Sequence, residues 1–192
     1  GGWAKSEFFC LVEYPVRELA GKTLGIVGAG DLGMGVAKIA EAFGMQVLFA
    51  ALPGRTYNED LSRVPFSELL PMVDVLSLHC PLTPQTEGLM STAELALMKE
   101  SAILINTARG GLIDEPALVN ALVAGQIGGA GLDVLSVEPP VNGNVLLDSN
   151  IDNLIVTPHS AWIARESRQR LMGQMVENIS AFLEGKALRR VN

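Results

Sequence analysis

The chain has 192 residues, of which 48% are hydrophobic, and a formal net charge of −7. This length and composition fit one folded domain with a substantial core; they exclude a disordered chain and, since no apolar stretch approaches ~20 residues, a membrane-spanning one. The negative charge argues against a nucleic-acid partner, because phosphate contacts need clustered Lys and Arg.

The first 21 residues precede the first predicted strand, yet they carry much apolar surface. The large side chains among them are Trp3, Phe8, Phe9, Leu11 and Tyr14. A free-floating tail would not carry so many, so we expect this segment to pack on a partner domain or a second subunit. We therefore interpret residues 1–21 as a linker and dimerisation arm, and residues 22–192 as the folded domain.

From residue 22 onward, predicted strands and helices alternate. The first half contains a strand from Thr23 to Val27, a helix from Gly30 to Phe43, a strand from Val47 to Ala50, a short helix beginning in Phe66 to Leu70, and a strand from Val73 to Leu78. In the second half, Ser91 and Glu94 are spaced as a capping box, and Asp114 can cap the helix from Glu115 to Ala124. The remaining elements are strands over Ala102 to Ile105, Gly131 to Leu135 and Leu154 to Val156, and a long helix from about Ala164 to Leu183.

This alternation predicts the fold class. Nearly all-apolar strands separated by helices indicate a parallel sheet that is covered on both faces. With right-handed crossovers, the result is an α/β doubly wound sheet of about six strands, the Rossmann arrangement, in three α/β/α layers.

A glycine-rich turn between the first strand and the first helix predicts a dinucleotide site. The turn consists of Gly28, Ala29, Gly30, Asp31, Leu32 and Gly33, a complete G-x-G-x-x-G. The first glycine allows a tight turn, the second lets a pyrophosphate approach, and the third permits close helix–strand packing. The alternative is a tight turn without a ligand.

The end of the second strand favours NADP over NAD. An acidic residue that would hold the adenosine ribose is expected there. The end of this strand instead reads Ala51-Leu52-Pro53-Gly54-Arg55, and Glu59 and Asp60 lie well into the next loop. The missing acid removes the repulsion against a 2′-phosphate, and Arg55 could pair with one. The alternative is a solvated Arg55 and an NAD ribose held by backbone groups.

A cation, a carboxylate and an imidazole follow three of the predicted strands. Arg109 precedes two glycines, Glu138 lies between Val137 and Pro139, and His159 follows Pro158. Because the carboxyl ends of parallel strands share one edge, we expect these three groups to meet at one crevice. The guanidinium suits a planar carboxylate, the imidazole can exchange a proton near neutral pH, and Glu138 could accept its other ring N–H.

Two histidines and two cysteines are too few for a structural zinc site, so no metal is expected. Cys10 and Cys80 are far apart in the sequence, which is typical of reduced thiols in a cytoplasmic protein. The beginning of the chain also lacks the apolar region of a signal peptide. We expect a cytoplasmic location.

The motifs occur in a specific order: the glycine turn, then Asn106-Thr107-Ala108-Arg109-Gly110-Gly111, Asp133-Val134, Glu138-Pro139, and Thr157-Pro158-His159. From about Trp3 onward this order resembles the D-isomer-specific 2-hydroxyacid dehydrogenases. The resemblance implies hydride transfer between a nicotinamide and a small 2-keto or 2-hydroxy acid. It implies that Arg109 binds the substrate, that His159 is the acid/base with Glu138 as its partner, and that Asp133 lies near the nicotinamide amide. We also assign Pro81, Thr107 and Ala108 to the cofactor.

Within this family, His159-Ser160-Ala161-Trp162 resembles the glycerate dehydrogenase and hydroxypyruvate reductase branch, and Glu138 speaks against the formate dehydrogenase branch. Trp162 either lines the pocket or packs the last helix. Members of the family have a substrate domain of about 100 residues ahead of the nucleotide domain, and this chain lacks it. The resemblance therefore implies a homodimer-forming cofactor domain that is inactive alone. A dehydrogenase-like corepressor and a methyltransferase are the alternatives.

Overall fold

The apolar runs of the sequence become the strands of a single parallel sheet. The structure is a computed structural model that describes residues 3–10, 16–57, 61–148 and 150–190. The strands are β1 (Thr23–Val27), β2 (Gln46–Ala51), β3 (Arg63–Pro65), β4 (Val75–Leu78), β5 (Ile103–Asn106), β6 (Gly129–Leu132) and β7 (Leu154–Val156). Their order is β3-β2-β1-β4-β5-β6-β7, and every neighbouring pair is parallel. The doubly wound α/β fold is confirmed.

The predicted count of about six strands was too low for the described ranges, which contain seven. The additional strand, β3, has three residues and pairs with the end of β2, from Phe49 opposite Arg63 to Ala51 opposite Pro65. So short a segment has no detectable alternation of polar and apolar residues. The strand predicted at Gly131 to Leu135 also begins and ends earlier, because glycines and an alanine, which look like loop residues, form most of β6.

Helices fill the connections between the strands. They are α1 (Asp31–Ala42), α2 (Phe66–Leu69), α3 (Thr92–Leu97), α4 (Glu115–Val123), α5 (Val145–Asp148) and α6 (Arg165–Leu183). The predicted caps are present: the Ser91 N–H donates to the Glu94 carboxylate at 3.2 Å, and the Asp114 carboxylate accepts from Ala117 N–H at 3.0 Å. No helix in the described ranges is both long and apolar enough to cross a membrane.

The sheet separates two apolar clusters, as a three-layer domain requires. Ile26 packs with α1 residues such as Ala37 and Ala40 in one cluster, whereas the next residue, Val27, belongs to the cluster that contains residues of α2, α3, α4 and α5. Consecutive strand residues point to opposite faces, so β1, β2 and β4 each contribute to both clusters. The carboxyl ends of the strands are thereby held at one rigid edge.

Two segments present apolar side chains to solvent. Phe9 in the N-terminal arm is 91% exposed, and α6 has no buried residue along its 19 residues, with Phe182 at 80% exposure. Residues 1–2 and 11–15, including Leu11 and Tyr14 of the predicted arm, lie outside the described residues.

Candidate active site

The glycine turn connects β1 to α1 with the geometry that its sequence predicts. Gly28 has a φ of +106°, which disfavours any residue with a side chain. A Cβ on Gly33 would lie 1.9 Å from the Gly28 carbonyl oxygen, so the helix packs directly on the turn. At Gly30 a Cβ would meet nothing within 4 Å, and no side chain caps the N-terminus of α1. Open space beside uncapped N–H groups fits a phosphate.

Gly28, Gly30, Arg55 and Pro81 line one cleft of about 300 Å³, which we call the glycine-turn cleft. Asp31 and Leu32 lie outside its lining, exposed in the first turn of α1, and Gly33 is buried behind the turn. Six residues of its lining were not assigned from the sequence: Ala29, Leu52, Tyr57, Arg63, His79 and Cys80.

Tyr57 and Arg63 organise the cleft at the end of β2. The Tyr57 hydroxyl accepts a hydrogen bond from Leu52 N–H at 2.9 Å, and the Arg63 guanidinium lies 4.0 Å from the centre of the Tyr57 ring. The Arg55 guanidinium lies 5.5 Å from that same ring. Two cations therefore share one aromatic side chain beside the glycine turn. A single tyrosine in a polar loop gives no sequence pattern by which this arrangement could be found.

Two groups at the end of β4 are neutralised by burial. The His79 imidazole is 2.9 Å from the Ser77 hydroxyl, and burial lowers the pKa of His79. Burial also raises the pKa of the Cys80 thiol, with a smaller opposing effect of the Arg55 charge. Burial therefore disfavours a negative charge on Cys80 beside Arg55 in the glycine-turn cleft.

Asn106, the last residue of β5, shapes the turn that presents Arg109. Its side chain is fully buried; Oδ1 accepts from Ala108 N–H at 3.0 Å, and Nδ2 donates to the Arg109 carbonyl at 2.9 Å. The Arg109 side chain is exposed and donates to the Ala108 carbonyl at 2.6 Å. Thr107 and Ala108 thus lie on the same turn, on the sheet edge between β4 and β6. Asn106 is part of the sequence motif, but its role in shaping this turn was not predicted.

Glu138 and His159 form a hydrogen-bonded pair. Glu138 Oε2 lies 2.7 Å from His159 Nδ1, and Glu138 Oε1 accepts from Leu135 N–H at 2.8 Å. Burial raises the pKa of Glu138, but the Leu135 N–H, the His159 hydrogen bond and the nearby charges of His159 and Arg109 together hold that pKa below its usual value. Glu138 lines a 260 Å³ cleft with Arg109 and a 350 Å³ cleft with His159. The three predicted groups are therefore brought to one place.

Asp133, at the end of β6, fixes the segment that carries His159. Its carboxylate accepts from the Thr157 hydroxyl, from Ser160 N–H at 2.8 Å and from Ala161 N–H at 2.8 Å. Burial raises the pKa of Asp133, but these donors outweigh burial and lower it. His159 itself has a φ of +49°, a strained conformation for a residue with a side chain. The Asp133 hydrogen bonds on its C-terminal side help to hold this strain.

The predicted cofactor residues lie along the sheet edge in spatial order: Arg55 after β2, the glycine turn after β1, Pro81 after β4, Thr107 and Ala108 after β5, and Asp133 after β6. Four strand spacings separate β2 from β6, about 19 Å. A dinucleotide binds across such an edge. Among the described residues no cluster of His, Cys, Asp and Glu could hold a metal ion. Trp162 is 54% exposed and is not buried beneath α6.

Residues 3–161 match the NAD binding domain of the D-isomer specific 2-hydroxyacid dehydrogenases. The chain belongs to this family. It is 51% identical over 187 residues to a glycerate dehydrogenase of Methylorubrum extorquens, which covers 97% of this chain. It is 44% identical over 194 residues to a hydroxypyruvate reductase of Blautia hydrogenotrophica, which covers 100% of this chain. The chain spans 58% and 60% of the lengths of these two relatives.

Solved structures of similar fold include dehydrogenases and a reductase. An acyclic imino acid reductase in complex with NADPH and D-Arg superposes with a TM-score of 0.85 at 34% identity and covers 100% of this chain. The TT0316 protein of Thermus thermophilus superposes with a TM-score of 0.84 at 40% identity and covers 98% of this chain. The present chain spans 61% and 60% of the lengths of those two chains. The fold and the family prediction are both confirmed.

Proposed function

We propose that this chain is the dinucleotide-binding part of an NAD(P)H-dependent reductase of small 2-keto acids, with hydroxypyruvate and glyoxylate as the preferred class. The carrying observation is the Glu138–His159 pair, 2.7 Å between Oε2 and Nδ1, at the strand edge that also bears Arg109. When bound, the nicotinamide supplies the hydride. Arg109 holds the substrate carboxylate through paired N–H donors, and His159 donates a proton from Nε2 to the carbonyl oxygen.

The pair suits this proton transfer because Glu138 occupies the other ring nitrogen. With Nδ1 directed at the carboxylate, the ring cannot turn freely and Nε2 is left for the substrate. Reduction takes a proton from the His159 ring, and hydroxy-acid oxidation returns one to it. Asp133 keeps the His159 backbone in place in both directions of the reaction, reduction and oxidation.

The residues present fit a nicotinamide dinucleotide. The open space at Gly30 and the uncapped α1 N-terminus would receive the pyrophosphate. At the β2 end, Arg55 and Arg63 flank Tyr57, and the described residues of that strand end include no carboxylate. We propose that this chain prefers NADP to NAD because Arg55 can pair with a 2′-phosphate. Similar solved structures include one in complex with NADPH and a D-lactate dehydrogenase with NAD+, so the proposed preference rests on Arg55 itself.

The corepressor and methyltransferase alternatives are not favoured. The matched family is a dehydrogenase family, and the named relatives are a glycerate dehydrogenase and a hydroxypyruvate reductase. A methyltransferase has no use for an imidazole–carboxylate pair beside an arginine. The proposed homodimer rests on the exposed apolar arm, where Trp3 and Phe8 are 68% and 70% exposed. The proposed cytoplasmic location rests on two free thiols, Cys10 and Cys80.

The test uses the full-length protein with NADPH and NADH against hydroxypyruvate, glyoxylate, pyruvate and an imino acid. We expect reduction of the two small keto acids, with a higher kcat/KM for NADPH than for NADH. Oxidation of D-glycerate but not L-glycerate would establish the stereochemistry. Failure to reduce any 2-keto acid would contradict the proposed activity.

A further inference from the structure

Glu115 has no role in the site described above, yet its carboxylate is buried and fully engaged. Glu115 is 8% exposed and is the first residue of α4, directly after the cap Asp114. Its Oε1 accepts from Ser136 N–H at 2.7 Å. Its Oε2 accepts from the Ser136 hydroxyl at 2.8 Å and from Asn144 Nδ2 at 2.8 Å. A buried carboxylate is tolerated when donors surround it in this way.

These donors stand at the two ends of the loop that carries Glu138. Ser136 opens the loop two residues before Glu138, and Asn144 closes it while its Oδ1 accepts from Leu146 N–H at 2.9 Å, in the first turn of α5. One carboxylate therefore ties both ends of residues 136–144 to the start of α4. The loop has no strand pairing of its own to fix it.

A second contact restrains the same stretch of backbone. A Cβ on Gly110 would lie 1.9 Å from the Leu135 carbonyl carbon and 2.4 Å from the Ser136 nitrogen. The Arg109 turn and the 135–136 backbone thus touch directly, and the Leu135 N–H donates to Glu138 Oε1 at 2.8 Å. The position of Glu138 depends on this backbone.

We propose that Glu115 is a positioning residue for the Glu138–His159 pair, acting through Ser136; its catalytic consequence rests on the function proposed above. Replacing the carboxylate by an amide would place an NH₂ group opposite a donor in either orientation of the amide, because both Ser136 N–H and Asn144 Nδ2 are donors. The loop would then move to satisfy its polar groups. A displacement of about 1 Å would break the 2.7 Å hydrogen bond between Glu138 and His159.

The first test needs no enzyme activity. The chain has two histidines, so NMR of the imidazole C–H groups gives one probe inside the pair, His159, and one outside it, His79. We expect Glu115→Gln to move the midpoint pH of the His159 signals in the same direction as Glu138→Gln and at least half as far, with the His79 signals unchanged. His159 signals that titrate as in the wild type would overturn the proposal.

Asp74→Asn is the matched control. Asp74 also ties down backbone, accepting from Thr23 N–H at 2.9 Å and from Lys99 Nζ at 3.1 Å, but at the amino ends of the strands. This variant should lose stability and leave both histidine signals unchanged. If Glu115→Gln does not fold, Ser136→Ala replaces it, since it removes the hydroxyl bond and keeps the N–H bond. Its expected shift is smaller and of the same sign, and no shift would overturn the proposal.

The second test is a double-mutant cycle in the full-length enzyme. Glu115→Gln should lower kcat about 10- to 100-fold, the usual effect of misplacing a catalytic group, with little change in KM for the cofactor. In the Glu138→Gln background it should add almost nothing, because both changes break one pair. Equal losses in both backgrounds would assign Glu115 a merely structural role. An inactive wild type would contradict the proposed function, and the NMR result would still decide the role of Glu115.

Discussion

At the scale of single residues, the chemistry depends on His159, whose imidazole is held between Glu138 and the strained backbone at φ +49°. We expect His159→Ala in the full-length enzyme to lower kcat by roughly 10² to 10⁴, the usual contribution of general acid/base catalysis. Affinity for the dinucleotide should not change. Asp74→Asn is the control, since Asp74 lies at the amino ends of the strands, away from the site. Equal loss in the two variants would contradict the assignment.

Glu138→Gln should lower the upper pH limit of keto-acid reduction. Reduction takes a proton from His159, and the Glu138 carboxylate is hydrogen-bonded to the other ring nitrogen, so replacing it by a neutral amide should lower the pH above which reduction fails. In the wild type the pKa of Glu138 is lowered, so the ion pair should persist to a pH below the ordinary range of a glutamate and be lost only under more acidic conditions. A pH–rate profile measures both limits. Identical profiles for the two proteins would refute the pairing.

The proposed preference for NADPH over NADH depends on Arg55. Arg55→Ala should reduce the NADPH-over-NADH difference by about 1 to 3 kcal/mol, the scale of a charge-assisted hydrogen bond. Calorimetric titration of this chain with both cofactors measures it. Lys38→Ala removes the same charge elsewhere on the surface and should leave the difference unchanged. Equal affinity for the two cofactors, unaltered by Arg55→Ala, would contradict the proposed role of Arg55 in cofactor preference.

The sequence located the candidate site residues, but not the side chains that fix the loops on which those residues lie. Arg109, Glu138 and His159 follow predicted strands, and the shared edge of a parallel sheet was enough to bring them together. Asp133 and Glu115, by contrast, accept hydrogen bonds from backbone N–H groups of loops that lie 21 to 28 residues away in the sequence. No local pattern encodes such pairings, because they depend on how two loops meet after the sheet forms.

At the scale of elements, glycines of the turn and of α1 that lie close in sequence should differ in their effects on stability and on dinucleotide binding. Gly33→Ala should destabilise the domain, because the added Cβ would lie 1.9 Å from the Gly28 oxygen. Gly35→Ala in the same helix meets nothing within 4 Å and should stabilise it by about 0.5 to 1 kcal/mol. Gly30→Ala also meets nothing and should keep stability while weakening dinucleotide binding. Thermal unfolding and titration of all three variants measure this.

A stable Gly33→Ala variant with normal binding would contradict the close packing of α1 on the turn.

The longer elements were predicted to within one or two residues, since β1 and α1 carry strong apolar patterns over 5 and 12 residues. β3 and the glycine-rich start of β6 were not predicted correctly. Their strand character comes from pairing with β2 and β5, a tertiary effect that the local sequence does not report.

At the scale of the whole molecule, the sheet and its two clusters account for the buried apolar residues, and the arm and α6 account for much exposed apolar surface. Phe9, Phe182 and Leu183 are 91%, 80% and 78% exposed. Composition predicted that the arm would pack on something outside the domain; it gave no such indication for α6, whose polar residues resemble those of an ordinary surface helix. A cover for either segment would be a contact with another chain or domain, and the periodicity of one segment does not predict such contacts.

The last prediction concerns turnover by this chain. The groups that bind a dinucleotide, namely the glycine turn, the α1 N-terminus and the strand ends, are all in place along one edge. The reacting pair is open to water, however, with side-chain exposures of 41% for His159 and 33% for Glu138. Catalysis also needs a second wall that orients the keto acid and excludes water. We therefore expect NADPH binding, little or no turnover with hydroxypyruvate or glyoxylate, and self-association through the arm. NADPH absorbance and light scattering measure these, with the full-length enzyme as the control. Turnover on the order of 10 per second would mean that the chain suffices for catalysis.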